Sequence, residues 1–457
     1  MNVLMEEWKG QTIVVLGLAR SGVAVARLLF HLGAKVTVND RKPRAESPEA
    51  EELENLGIPV ICGEHPENLI HEGVDLLVKN PGIPYSASPV QQALVYGIPV
   101  VTEVEIAYRV ASSPIIGITG SNGKTTTTTL VGRMLKKGKV PSVVAGNIGR
   151  ALAEVAPELK ANEWLVAELS SFQLKGVQTF RPRIGALLNI VPAHMDYHGD
   201  LNDYTASKEK LFSNQQPSDI AVLNWDSPEC RSVAKKIKAQ ILWFSRHEPV
   251  DQGIYFAEGR VMVKMANDAE AWELMPVSDI HMPGVHQENG LAAAAIALAA
   301  GCPKEAIRQE LATFTGVEHR LEFVGVKRGA RWYNDSKATN AKATIAAIES
   351  FHEPVVLIAG GLDRGVDFRE CIPAFRKLKG IVAYGEAADV LLARAKDAGI
   401  PEQEQYHARR VEEAVFAAAN LVQSGDVALL SPACASWDQH TSFEERGSIF
   451  KQAVHIL

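Results

Sequence analysis

The stretch that most constrains this chain is Ile115-Ile116-Gly117-Ile118-Thr119-Gly120-Ser121-Asn122-Gly123-Lys124-Thr125-Thr126, an apolar run that enters a glycine-rich turn and then helix-forming sequence. Strand, turn and helix in that order aim backbone N–H groups and the positive end of a helix at one point, which suits the oxygens of a nucleotide phosphate. Lys124 is then placed to reach the β and γ oxygens, and Thr125 to hold Mg²⁺. The common phosphate-loop pattern, Gly-x-x-x-x-Gly-Lys-Thr, is missed by one residue. Ile118 stands where the loop should open, and Gly117 comes one place too early. What remains, Thr-Gly-x-x-Gly-Lys-Thr, is either an accidental glycine turn or a family-specific loop.

A chain of 457 residues exceeds one ordinary core, so three domains are expected. With 46% hydrophobic and 22% charged residues it reads as a soluble globular protein, and a net charge of -7 argues against a bulk nucleic-acid binder. Five cysteines, Cys62, Cys230, Cys302, Cys371 and Cys434, show no paired spacing, which suits a reducing compartment and signals neither disulfides nor zinc. The amino terminus carries Glu6 and Glu7 and leads directly into a strand, unlike a signal peptide. Its longest apolar run, Leu291 to Ala300, is too short to span a bilayer. A cytoplasmic protein without nucleic-acid partner or membrane insertion is expected.

A related unit opens the chain. The apolar strand Thr12 to Leu16 enters Gly17-Leu18-Ala19-Arg20-Ser21-Gly22, a helix with Val23, Ala26, Leu28 and Leu29 follows, and a second strand, Lys35 to Asn39, ends at Asp40. This approaches the dinucleotide fingerprint with alanine for its second glycine. It is compatible with a phosphate-bearing ligand on the helix amino terminus, and also with a tight turn that holds none. Strand signals at Leu76 to Val78 and Pro99 to Val101 complete a small parallel α/β domain. The loop Lys79-Asn80-Pro81-Gly82-Ile83-Pro84 follows a strand end, where open parallel sheets bind ligands.

After a linker, Val110 to Pro114, the phosphate-loop strand opens a second α/β domain. Trp164 to Ala167 ends in Glu168, a carboxylate placed to hold Mg²⁺. Ile184 to Leu188 leads to His194 and His198, between which the residues alone do not choose. The helical stretch Tyr204 to Phe212 carries Lys208, which composition does not single out. Residues 221–275 read as short strands without chemistry, and an alanine-rich helix runs to Ala300. From Val317 a third parallel α/β domain again gathers polar residues at strand ends, at Asn334 to Asn340, Gly360 to Arg364 and Ser431 to Asp438. The expected fold is α/β in three domains, residues 1–110, 111–315 and 316–457.

Thr-Gly-x-x-Gly-Lys-Thr, Glu-Leu-Ser-Ser-Phe-Gln-Leu, Ala-His-Met-Asp, His-Arg-Leu-Glu, Asn-Asp-Ser-Lys-Ala-Thr-Asn and Ser-Pro-Ala-Cys-Ala-Ser-Trp-Asp, in this order, resemble the motifs of the Mur ligases of peptidoglycan synthesis. The resemblance covers nearly the whole chain. It implies a Rossmann-like amino-terminal domain for a uridine nucleotide, a central P-loop ATPase domain, and a Rossmann-like carboxy-terminal domain for the amino acid. ATP and two Mg²⁺ ions are the implied cofactors, UDP-MurNAc-L-Ala and D-glutamate the implied substrates, and a monomer the expected state.

Carried over by motif, the ATP site takes Gly120, Ser121, Asn122, Gly123, Lys124, Thr125, Thr126, Asn289 near adenine, Arg320, and Asp335 near ribose. Thr125, Glu168 and His194 match metal positions, which selects His194 over His198. Lys208 matches the lysine that the family carbamylates, a change that offers a hard cation an oxygen anion in place of an ammonium. Lys124, His194 and Lys208 are thus the expected catalytic residues. The UDP substrate falls to Ala19, Arg20, Ser21, Asp40, Arg41, Asn80 and Gly82, with Asn147 at its carboxyl region, and D-glutamate to Lys337, Thr339, Arg364, Ser436 and Phe443. Three positions depart from the pattern: Ala193 where some members are acidic, Gln287 where asparagine is usual, and Arg364 where lysine is often found. The arginine still offers a carboxylate a bidentate fork.

The implied reaction activates a carboxylate with the γ-phosphate of ATP and lets the amine of D-glutamate displace the phosphate; no residue stands out as base for that amine. Rival readings are another Mur ligase step and a folylpolyglutamate-synthase-like ligase. From other classes come an NAD-dependent dehydrogenase built on Gly17 to Gly22 and Asp40, and a non-catalytic nucleotide-binding regulator.

Overall fold

A computed structural model describes residues 6–266, 268–280, 282 and 284–457, and its strands form three sheets. The chain divides into two compact units, Met1–Ile280 with His286–Thr313, and His281–Val285 with Phe314–Leu457. Two of the sheets belong to the first unit.

In the first sheet, β1 (Thr12–Leu16), β2 (Lys35–Asp40), β3 (Val60–Cys62), β4 (Leu76–Lys79) and β5 (Val100–Val101) lie in the order β3-β2-β1-β4-β5, all parallel. β1 and β4 are mostly apolar because both faces are covered, while β2 also carries Lys35, Thr37, Asn39 and Asp40 and β4 ends in Lys79. Ile13, Val15, Val36 and Val38 pack with Val25 and Leu29 of the helix Arg20–His31, while Val14, Leu16 and Leu77 face Val90 and Ala93. Strand order reverses between β1 and β4, so the turn after β1 and the loop after β4 flank the crevice where such sheets bind.

The second sheet contains β6 (Ile115–Thr119), β7 (Ser142–Gly146), β8 (Trp164–Glu168), β9 (Ile184–Leu187), β10 (Ile220–Asn224), β11 (Gln240–Ser245), β12 (Gly253–Ala257), β13 (Arg260–Lys264) and β14 (Trp272–Pro276). Their order is β14-β13-β12-β11-β10-β9-β6-β8-β7. β6 is the strand at which the order reverses, with β8 on one side and β9 on the other. Phosphate loop, Glu168 and the His194 segment therefore leave the sheet at three adjacent strand ends. The short strands expected within residues 221–275 include the antiparallel extension β12 to β14.

The second unit holds β15 (Glu322–Lys327), β16 (Ala330–Asn334), β17 (Val355–Gly360), β18 (Leu378–Tyr384), β19 (Gln405–Ala408) and β20 (Val427–Ala433), in the order β15-β16-β20-β17-β18-β19. Five of these strands run parallel, as expected, but β15 pairs antiparallel with β16 and corrects the reading of an all-parallel sheet. The cause is local. Only Arg328 and Gly329 join the two strands, both at positive φ (53° and 79°), and a two-residue turn of that kind makes a hairpin and leaves no room for a crossover.

Candidate active site

β6 is buried along its length and delivers Gly120 into the crevice between β8 and β9. Gly123 precedes the helix Lys124–Lys137 at φ 81°, a conformation that glycine alone adopts without strain. A Cβ there would run into Asn289 Oδ1, so Asn289, expected near adenine, lies directly against the phosphate loop. The loop is braced from β9: Asn122 N–H donates to Asn189 Oδ1 (2.9 Å), and Ser121 Oγ donates to the Val191 carbonyl (2.9 Å). Lys124 Nζ donates to the carbonyls of Gly120 and Ser121, each at 2.8 Å, which folds its charge over the loop. Thr125 is half-buried and Thr126 buried on the same helix.

A cavity of about 480 Å³ opens beside the loop, lined by Ala19, Arg20, Ser21, Gly82, Lys124, Asn147, Ser171, His194 and Lys208 among others. Lys208 is only 1% exposed, donates to the Gly120 carbonyl (2.8 Å) and Thr119 Oγ1 (3.4 Å), and lies 4.7 Å from the Tyr204 ring centroid. Burial first, and the Lys124 charge second, push its pKa well below the usual lysine value. A buried ammonium met only by neutral oxygens carries a desolvation penalty of several kcal/mol, so the free amine is held towards its neutral form.

Glu168 is buried at the end of β8. Oε1 accepts from Asn147 Nδ2 at 2.9 Å, while Oε2, equally buried, makes no hydrogen bond within the protein. An orphaned carboxylate oxygen beside a phosphate loop fits a hard divalent cation. Among the described residues no group of three or more His, Cys, Asp and Glu side chains forms a ready metal cluster, so Glu168 and His194 fit Mg²⁺ as part of a shell that other oxygens complete. His194 sits at φ 57° ahead of the helix Met195–His198, with its ring centroid 4.9 Å from that of Phe172. In His198 both ring nitrogens are engaged, Nδ1 with Asp203 Oδ2 (2.7 Å) and Nε2 with Ser171 Oγ (3.0 Å).

A second cavity of about 520 Å³ shares Ala19, Ser21, Pro81 and Gly82 with the first and extends along Gly17, Asp40, Arg41 and Asn80. Asp40 Oδ2 accepts from the Leu18 N–H (2.7 Å) and Oδ1 from the Lys42 N–H (2.8 Å). Asn80 Oδ1 accepts from Ser21 Oγ (3.0 Å), and the Arg20 guanidinium donates to the Gly149 carbonyl. Of the residues expected at the UDP substrate, Arg20 and Asn147 line only the first cavity, Asp40, Arg41 and Asn80 only the second, and Ala19, Ser21 and Gly82 both.

In the second unit the expected residues gather at the ends of β16, β17 and β20. Asp335 Oδ2 accepts from Ser431 Oγ (2.9 Å) and Oδ1 from the Leu321 N–H (3.2 Å), next to Arg320; burial raises its pKa to about 7. Lys337 Nζ stands 4.7 Å from the Phe443 ring centroid, and the Lys337 carbonyl accepts from the Thr339 N–H (2.9 Å). The Arg364 guanidinium lies 4.9 Å from the ring centroid of Trp437, which follows Ser436. Sequence reasoning missed the residue that ties these loops together. Arg446 is fully buried and donates to Ser336 Oγ (3.0 Å) and to the carbonyls of Ser336 (2.8 Å) and Cys434 (3.1 Å). Nothing in its helical surroundings marks it; only the pairing of three distant segments does. Lys79, which the sequence marks only as the first residue of a ligand-facing loop, is buried at the end of β4, where burial and then the Lys175 charge draw its pKa down to about 7. An ammonium closing an apolar strand was the available signal.

Three family models match the chain: the Mur ligase MurD-like N-terminal domain over residues 11–102, the Mur ligase middle domain over 118–298, and the Mur ligase glutamate ligase domain over 319–434. The match over residues 11–102 sets aside the dehydrogenase reading of the first glycine turn. UDP-N-acetylmuramoylalanine–D-glutamate ligase of Geobacillus kaustophilus (strain HTA426) is 51% identical over 98% of both chains, and that of Bacillus pumilus (strain SAFR-032) 47% identical over 99% of both. Among solved structures, the MurF ligase of Thermotoga maritima in complex with ADP shares the fold with a TM-score of 0.54, at 18% identity, over 98% of this chain and 96% of that one. With motifs, sheets and full-length likeness in agreement, the chain belongs to the Mur ligase family of ATP-dependent amide ligases.

Proposed function

We propose that this chain adds D-glutamate to UDP-N-acetylmuramoyl-L-alanine, with ATP converted to ADP and phosphate, as the activity in its relatives' names suggests. The observation that carries the reading is that the two cavities share Ala19, Ser21, Pro81 and Gly82 in their walls. A substrate held by its uridine end near Asp40 and Asn80 can extend past Ala19 and Gly82 and present its terminal carboxylate to the phosphate loop. That carboxylate attacks the γ-phosphorus in line, giving an acyl phosphate and ADP, and the amine of D-glutamate then displaces phosphate. Use of ATP and Mg²⁺ goes with the family.

Lys124 neutralises and orients the phosphates, and the first-turn amides of its helix meet their oxygens. Thr125, Glu168 and His194 would hold Mg²⁺, which supplies charge neutralisation for the triphosphate. Lys208 joins them as a carbamate, and its depressed pKa supports this, because only a neutral amine combines with CO₂. A second Mg²⁺ completes the set. Asn289 braces the loop, Arg320 and Asp335 hold the nucleoside, and Lys337, Thr339, Arg364, Ser436 and Phe443 receive D-glutamate. Domain limits at 110/111 and 315/316, a monomeric state and a cytoplasmic location belong to the same reading. Among the described residues no helix is long and apolar enough to cross a membrane.

The test is phosphate release from ATP with UDP-MurNAc-L-Ala and a panel of D-glutamate, L-glutamate, L-alanine, a diamino acid and D-Ala-D-Ala. Release with D-glutamate alone is expected; release with another member of the panel, or with none, overturns the proposal.

A further inference from the structure

Lys79 ends β4 with no exposed surface. Its ammonium donates to the carbonyls of Ile83 (2.8 Å), Pro81 (3.2 Å) and Asn80 (3.4 Å) and to the Tyr197 hydroxyl (3.2 Å). The rings of Tyr85 and Tyr197 face it, with centroids at 4.8 and 5.8 Å. None of these partners is a carboxylate, so dipoles and ring faces alone meet the charge. An apolar side chain of similar length would fill the space without the desolvation penalty, so the geometry of the cage is the reason to look for a role.

That geometry joins two parts of the site. The carbonyls caught by Lys79 belong to the loop that lines both cavities, Asn80 to Pro84 in one and Pro81 and Gly82 in the other. Tyr197 lies on the short helix that starts after His194, and its hydroxyl is also within reach of the Pro81 (3.1 Å) and Ile83 (3.3 Å) carbonyls. Its ring packs edge-on against Phe172 at 4.5 Å, and Phe172 in turn contacts the His194 ring.

We propose that Lys79 is a positioning residue for the ligation: by drawing three loop carbonyls and the Tyr197 hydroxyl onto one ammonium, it holds the uridine-substrate loop in register with the segment that carries His194. The inference rests on the reading that the two cavities take the uridine substrate and the ATP phosphates. Lys79 touches no reactant itself. Its loss lets the loop and the His194 segment move independently, which misplaces the terminal carboxylate relative to the γ-phosphate, and misplacement of that kind is felt in kcat as well as in binding.

The test uses the full chain with Lys79→Met, which keeps the apolar stem, and Tyr197→Phe, which removes one hydroxyl. Melting temperatures, calorimetric Kd for UDP-MurNAc-L-Ala without ATP, and steady-state constants for all three substrates are measured. Lys79→Met is expected to raise Kd and KM for UDP-MurNAc-L-Ala and to lower kcat, each about 10-fold, with KM for ATP and D-glutamate within about twofold. Tyr197→Phe changes the same constants in the same direction by about threefold, and the double variant is no worse than Lys79→Met because both act through one cage. A folded Lys79→Met with wild-type constants, one altered only in melting temperature, or losses that multiply in the double variant overturns the proposal. Should Lys79→Met not fold, Tyr197→Phe decides on the same constants. Failure of the wild type to use D-glutamate sinks the functional reading instead, and Kd for the uridine substrate still judges Lys79.

Discussion

After β1 the chain turns through Gly17 into Arg20–His31, and after β6 it turns through Gly120 into Lys124–Lys137. Both turns follow a buried parallel strand, both sit where strand order reverses, and both lead into a helix whose amino end faces a cavity. Their charge differs. In the first, the Leu18 N–H is taken by the Asp40 carboxylate, which leaves a negative charge on the turn. In the second, the Ser121 and Asn122 N–H groups go to the neutral Asn189, and a lysine folds over the loop. Arg20, Arg41 and Lys42 line the cavities at the first turn, so cations stand around both turns, and the added carboxylate is what sets the first apart. Glycines mark where a ligand can approach the backbone; the charges around them select which ligand.

The largest effect that could break this contrast is at the phosphate-loop turn. Lys208→Ala should lower ligation at least ~10³-fold, with partial recovery on adding acetate, read by phosphate release. An undiminished rate would remove the carbamate from the account. Lys124→Ala should lower turnover ~10²-fold while leaving calorimetric binding of the uridine substrate unchanged, since the charge belongs to the second turn alone. Asp40→Ala is the reciprocal case: KM for the uridine substrate should rise about 10-fold and KM for ATP stay constant, and a change in the ATP constant instead would mean that the two turns are not separable.

The smallest effect comes from a third strand-end carboxylate, Asp335, whose pKa burial raises to about 7 from an ordinary 3.8. Between those values the folded protein holds a proton that the unfolded chain has released, so this group's contribution is complete below pH 4 and lost as pH rises through 7. Asp335→Asn removes that dependence. Urea unfolding should show the variant gaining on the wild type by about 1 kcal/mol or more on going from pH 5 to pH 8; an equal difference at both pH values would place an ionised Asp335 in the fold already.

Much of this molecule is written locally. The apolar runs Thr12–Leu16, Ile115–Thr119 and Trp164–Glu168 are strands because most of their residues are apolar and buried on both faces, and Gly17 and Gly120 carry the turns after the first two. The order of the motifs along the chain was sufficient to place it among the Mur ligases. Even the antiparallel β15 has a local sign, the short Lys327-Arg328-Gly329-Ala330 turn between it and β16.

Sequence alone determined many of the parallel strands, the glycine-rich turns, the family and the residue types at the candidate site. Tertiary structure decided which of those residues meet. Asp40 reaches Leu18 across 22 positions, His198 commits both nitrogens to Ser171 and Asp203 while His194 lines the cavity, and Lys79 meets Tyr197 across 118 positions. Arg446 likewise reaches back 110 positions to Ser336. Contacts of this kind have no periodicity or spacing of their own. They follow from sheet order and loop path, which bring distant segments together only once the strands are paired and their apolar faces covered.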